Sequence, residues 1–146
     1  IVLAGSVSRA IERDGSYRAD IAAGRIVCLG YVDRLALDQL IQHAHAVLLP
    51  ISEGGGTNLK TAEALLSLRP VLATPRALRG FERFAQRPRV RVVDDQADFV
   101  ARLAAMLAAP AEPDAHDPEA QCLTWESAFD ALGGVLRQWG LPSFRR

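Results

Sequence analysis

The chain has no run of about 18 apolar residues, so nothing in it reads as a membrane span. Cysteine is scarce: Cys28 and Cys122 alone, far apart and with no CxxC spacing. Both lie in apolar surroundings, which predicts buried free thiols in a reducing compartment. Charge of one sign is missing too, since 17 Lys+Arg balance 17 Asp+Glu. That balance excludes a global pull toward DNA or an anionic bilayer. Lysine is nearly absent: Lys60 is the only one, and every other member of the basic 17 is arginine. The opening residues have neither a methionine nor a basic flank, so they do not read as a signal peptide. They look instead like a strand met partway through a larger protein. Apolar groups are not lacking. At 49% hydrophobic and 23% charged, the composition excludes a disordered chain. The length of 146 residues suits one domain with a core of its own.

Two patterns alternate along the chain. Short apolar runs at 1–5, 25–31, 46–51, 70–74 and 89–93 read as strands, several ending in Gly or Pro. Between them, residues 35–45, 58–68 and 96–109 carry apolar groups at helical spacing. Residues 6–24 are polar and contain Gly15, which predicts a loop followed by a weak helix. Pro110, Pro113 and Pro118 mark a turn-rich connection. A last helix spans 123–138, with Trp125, Phe129, Leu132, Val135 and Leu136 expected to point inward and Gly133 and Gly134 weakening its middle. Trp139 is expected to pack in the core or in a lid. Strands alternating with helices, and apolar on both faces, predict an α/β fold: a Rossmann-like parallel sheet with helices on both faces. In such sheets ligands bind beyond the carboxyl ends of the strands.

One segment at such a position carries chemistry. Ser52 and Glu53 lead into Gly54, Gly55 and Gly56, then Thr57, Asn58, Leu59, Lys60, Thr61, Ala62 and Glu63. Three consecutive glycines are costly in backbone entropy and fit a tight turn or a close ligand approach. Free amides in a helix's first turn hold phosphate well, and Thr57 or Asn58 can cap that helix. Lys60 in that turn suits a phosphate contact. Glu63, one turn on, can accept two hydroxyl hydrogen bonds, as from a ribose. The plainer reading is a surface loop with an i,i+3 Lys60–Glu63 pair. The segment does not match GxxxxGK[ST] and lacks GxGxxG spacing, which argues against a triphosphate loop and a dinucleotide site. His43 and His45 read as cap or core residues. The arginines between Arg76 and Arg91, balanced by Asp94, Asp95 and Asp98, read as a solvated face.

The order of these pieces resembles a known family. Gly30-Tyr31-Val32 before a helix, His-Ala-Val-Leu-Leu-Pro-Ile, Gly-Gly-Gly-Thr-Asn-Leu-Lys-Thr-Ala-Glu-Ala-Leu, Arg-Pro-Val-Leu-Ala-Thr-Pro and Arg79-Gly80-Phe81-Glu82 look like the donor half of GT-B glycosyltransferases. The match is to the retaining enzymes of glycosyltransferase family four. It is strong over residues 24–82 and looser through Thr124-Trp125-Glu126. The resemblance implies a domain, residues 1–146, that binds a nucleoside diphosphate sugar for transfer to an acceptor, in polysaccharide, lipopolysaccharide or glycolipid synthesis. Glu63 matches the family's ribose-binding Glu. The Gly54–Asn58 loop, Leu59 and Lys60 match the segment meeting diphosphate and sugar, with Lys60 a candidate stabiliser of the leaving group. Gly30, Tyr31 and Val32 match the base-receiving turn, and Arg79-Gly80 a loop closing over the donor.

Gly55 stands where the family's E-x7-E pattern has its first Glu, while Gly54, Gly56 and Lys60 fit a glycine-rich variant. No DxD motif occurs, so no obligatory metal or other cofactor is expected. The acceptor domain and a basic phosphate-contacting pair are expected upstream. The isolated chain is then expected to be inactive, and its last helix, which in relatives crosses to the other domain, incompletely covered. Expected partners are the sugar donor and, through the acceptor domain, a glycan or glycolipid, with peripheral membrane contact and no nucleic acid. The expected location is the cytoplasm, at the inner face of the membrane. The rival readings are a nucleotide-sugar epimerase of the same fold and a non-catalytic module binding a nucleotide sugar or a partner.

Overall fold

A computed structural model describes residues 1–53, 59–109 and 117–140. The chain divides into two compact units, Ile1–His43 and Ala44–Arg146. Both are built from parallel strands joined through helices, the Rossmann-like α/β plan.

In the first unit, β1 (Val2–Ala4) pairs in parallel with β2 (Val27–Gly30), with the register slipping between Leu3 and Ala4. Helices α1 (Ser6–Asp14) and α2 (Arg18–Ala22) lie between the strands, and α3 (Arg34–His43) follows. Residues 6–24, expected as a loop and a weak helix, are therefore mostly helical. The turn into α1 is made by Gly5 at φ 91°, and Gly15 in the left-handed region closes that helix. Gly15 ends a helix here rather than belonging to a loop. Ser8, fully buried, holds α1 down by donating its hydroxyl to the Leu3 carbonyl at 2.7 Å. Asp33 starts α3 by accepting from the Ala36 amide at 2.8 Å. Val2, Val27 and Leu29 are exposed, so these strands are not covered on both faces as expected.

The second unit holds the core. Strands β3 (Val47–Leu49), β4 (Val71–Ala73) and β5 (Val90–Val92) form a parallel sheet in the order β3-β4-β5. All three residues of β4 are fully buried, as a central parallel strand requires. Helix α4 (Leu59–Leu66) packs on β3, and α5 (Gln96–Ala108), capped by Asp95, packs on β4. A 3-10 turn at Glu82–Gln86 leads into β5 and buries Phe84, the largest fully buried side chain. Around it pack Leu49, Leu65, Val71, Leu78 and Phe81.

Two further helices, α6 (Pro118–Gln121) and α7 (Trp125–Gln138), complete the unit. Pro118 does not belong to the turn-rich connection. It opens α6 beside the Asp117 cap, where a missing amide hydrogen costs nothing. Residues 110–116 of that connection lie outside the described residues.

Two burial expectations fail. Cys122 is exposed and Cys28 half-buried, because Cys122 ends α6 on its outer side. Along α7, Trp125, Phe129, Leu132 and Val135 are exposed and so is Trp139, whereas the buried residue is Gly133. The helix meets the body of the unit on a glycine flank, and its apolar stripe turns outward. Among the described residues no helix is long and apolar enough to cross a membrane.

Candidate functional site at the carboxyl ends of the second sheet

The carboxyl ends of β3 and β4 are joined by two threonines. Thr74, directly after β4, donates its hydroxyl to the Ile51 carbonyl beyond β3 at 2.6 Å. The same oxygen accepts the Ala77 amide at 3.2 Å, which folds residues 74–80 into a tight turn. Thr61, in the first turn of α4, is fully buried and donates to the Ala77 carbonyl at 2.6 Å. These bonds tie the start of α4, the end of β3 and the 74–80 turn into one rim.

The structure places the sequence-derived site residues as follows. Gly54, Gly55, Gly56, Thr57 and Asn58 lie outside the described residues. Leu59 and Lys60 open α4 and are exposed. Leu59, which helical spacing sets on one side with Ala62, Leu65 and Leu66, instead faces outward with Lys60, because the helix roots itself through Thr61, Ala64 and Leu65. Glu63 is half-buried, one turn along α4. Arg79 and Gly80 are exposed at the end of the turn that Thr61 reaches. Gly80 sits at φ 83°, a conformation that suits glycine. Its amide donates to Glu82 Oε1 at 2.9 Å. That bond, then the Glu82 amide and the Arg79 charge, outweigh a small desolvation effect and hold the Glu82 carboxyl below its usual range. The Gly80 amide is thus occupied by the protein's own carboxylate.

Gly30, Tyr31 and Val32 belong to the first unit. Gly30 ends β2 at φ 64°, and Tyr31 beside it is 72% exposed. The Arg9 guanidinium lies 5.5 Å from the Tyr31 ring centre, a cation–π arrangement that leaves an aromatic platform open on its other face. Val32 is half-buried.

From sequence, Thr74 reads only as ligand-proximal at a strand end and Thr61 and Glu82 only as parts of longer segments, while Arg9 carries no signal. His43 Nδ1 lies 2.8 Å from the Gln39 carbonyl and His45 Nε2 2.8 Å from that of Met106, in line with cap and core roles. Among the described residues no group of three His, Cys, Asp or Glu is disposed to hold a metal.

Compared with known protein families, curated proteins and solved structures, the chain matches none.

The rim has its own test. Thr61→Val keeps the shape of the side chain but leaves the Ala77 carbonyl without its hydroxyl. A loss of about 0.5–1.5 kcal/mol is expected, the net worth of one intramolecular hydrogen bond. Thr61→Ser should retain most of the stability. Urea denaturation of both variants measures the difference.

Proposed function

We propose that this chain is the donor-binding part of a retaining glycosyltransferase. The observation that carries the reading is the rim beyond β3 and β4. There the start of α4, with the only lysine of the chain, is fastened by Thr61 to the turn bearing Arg79. Parallel α/β sheets bind ligands at such strand ends. A diphosphate at the head of α4 would meet helix amides and the Lys60 ammonium, which stabilise the negative charge that grows on the leaving group as the sugar departs. Glu63, one turn deeper, would accept hydrogen bonds from a ribose. Transfer to the acceptor requires groups beyond these residues.

The test is an NMR titration of the chain with UDP, GDP, ADP and the corresponding nucleotide sugars. Shifts are expected at Leu59, Lys60, Glu63, Arg79 and Gly80. Glu63→Ala should weaken binding roughly 10-fold to 100-fold, as expected for hydrogen bonds to a charged acceptor. Lys60→Ala should weaken the diphosphates far more than the free nucleoside. Spectra unchanged at millimolar ligand overturn the reading. The transferase step is tested separately, by release of nucleoside diphosphate when a chain that includes the acceptor-binding part meets donor and acceptor together.

A further inference from the structure

Ala77 is gripped at both of its backbone polar groups. Its amide donates to the Thr74 hydroxyl at 3.2 Å, and its carbonyl accepts the Thr61 hydroxyl at 2.6 Å. Thr74 in turn donates to the Ile51 carbonyl at 2.6 Å. Thr61, Ala77 and Leu78 are buried, whereas Lys60 and Arg79 beside them are exposed. All of these residues belong to the second unit. A buried residue held at both its amide and its carbonyl is fixed in orientation, so the chain leaves it toward Arg79 in a set direction.

The Thr61 bond adds modestly to stability, as a single intramolecular hydrogen bond does. Its larger contribution is direction. Valine fills the same volume but sets no angle between α4 and the turn. Lys60 is one Cα step of about 3.8 Å from Thr61, and Arg79 is two such steps from Ala77. The bond therefore sets the span between the attachment points of two cations. One phosphoryl group is satisfied by one cation. Two linked phosphoryl groups reward two cations held at a fixed span, because the first contact brings the second partner into place without further ordering. Arg79 keeps a counter-charge when no anion is bound, since the Glu82 carboxylate that accepts the Gly80 amide lies in its field.

We propose that Thr61 is a positioning residue: its bond to Ala77 holds Lys60 and Arg79 at a span that selects two linked phosphoryl groups over one. This rests on the donor-binding reading above, and adds to it a second cation and the residue that spaces the pair.

The test is an NMR titration at low salt with inorganic pyrophosphate and, separately, with orthophosphate. Wild type is expected to prefer pyrophosphate by roughly 10-fold to 100-fold, the worth of one more charge-assisted contact. A preference owed to ligand charge alone survives Thr61→Val, whereas one owed to spacing does not. Thr61→Val should therefore lower the pyrophosphate-to-orthophosphate ratio about tenfold, and Thr61→Ser, which keeps the hydroxyl, should restore it. Lys60→Ala and Arg79→Ala should be coupled: the double variant should weaken pyrophosphate about tenfold less than the product of the single effects. Circular dichroism checks folding, and if Thr61→Val fails there, the cycle on the two exposed cations decides alone. Equal weakening of both ligands by Thr61→Val marks a merely structural role and overturns the proposal. So does an unchanged ratio, or independent effects of Lys60 and Arg79. A chain that gives any of these results yet binds UDP with shifts at Lys60 and Glu63 loses this inference and keeps the donor-binding reading. A chain that binds neither UDP nor pyrophosphate loses both.

Discussion

Asp117→Ala is expected to cost the second unit about 3–5 kcal/mol, because it removes a buried carboxylate bonded both to Arg89 and to the first amides of α6. Arg89 and Asp117 are both almost fully buried. One guanidinium nitrogen, Nη2, donates to Asp117 Oδ2 at 2.9 Å and to the Leu65 carbonyl at 2.9 Å. The other carboxylate oxygen accepts the amides of Glu119 at 3.1 Å and Ala120 at 3.2 Å, capping α6. Arg89 immediately precedes β5 and Leu65 lies in the last turn of α4, so one ion pair joins three elements. Outside it, Arg87 pairs with both Asp117 and Glu119, and Arg83 with Glu119 at 3.3 Å. The more exposed pairs contribute little. Breaking a buried pair costs more than replacing it, so exchanging both partners for apolar residues, Arg89→Met with Asp117→Leu, should cost less than Asp117→Ala alone.

The same pair sets an acid limit. Burial by itself would raise the Asp117 pKa. The Arg89 hydrogen bond, the Ala120 amide and the charges of Arg87 and Arg89 outweigh that effect and lower it. A carboxyl whose pKa falls on folding stabilises the fold above its unfolded value, about 3.9. That stabilisation disappears as pH drops from there through the lowered folded value. Wild-type stability should therefore fall as pH drops below about 4, and Asp117→Asn should flatten the slope in that window. Denaturant melts at several pH values measure both.

The elements of this chain were legible where one force dominates. β4 is a run of apolar residues between Pro70 and Pro75, and it is the fully buried central strand. The helices at 34–43, 59–66 and 96–108 follow the three-and-four spacing of their apolar residues. Legibility failed where local chemistry competes with pattern. α1 has few apolar groups, and its ends are made by Gly5 and Gly15, which from sequence resemble loop residues. α6 is four residues set by a cap and a proline, too short for any period to show. α7 has the period but not the burial, since periodicity tells which residues share a face and not which face meets the core. The candidate site was legible as a position, the carboxyl end of a strand leading into a helix. Its fastening by Thr61 and Thr74 was not, because a hydroxyl finding a carbonyl 16 or 23 residues away leaves no local signature.

Phe84→Ala is expected to cost about 3–5 kcal/mol and to loosen the candidate site with it. Phe84 is fully buried in the 3-10 turn before β5, with the Arg83 guanidinium 5.0 Å from its ring centre. Its amide donates to the Phe81 carbonyl at 2.9 Å, and the Phe81 amide to that of Leu78 at 2.7 Å. Ala77, Leu78 and Phe81 are all buried with it. The ring is thus the floor beneath the 74–80 turn, and Thr61 hangs the start of α4 from that turn at Ala77. Removing the ring costs its transfer energy plus that of the cavity left behind. The collapse that relieves such a cavity must draw in Ala77 or Leu78, and α4 with them. Phe84→Leu refills most of the volume and should recover most of the stability. Hydrogen exchange gives the spatial readout: protection should fall first at Ala77, Leu78 and Phe81 and in β4. If Phe84→Ala lowered global stability while those amides kept their protection, the turn would have to be held by its threonines alone.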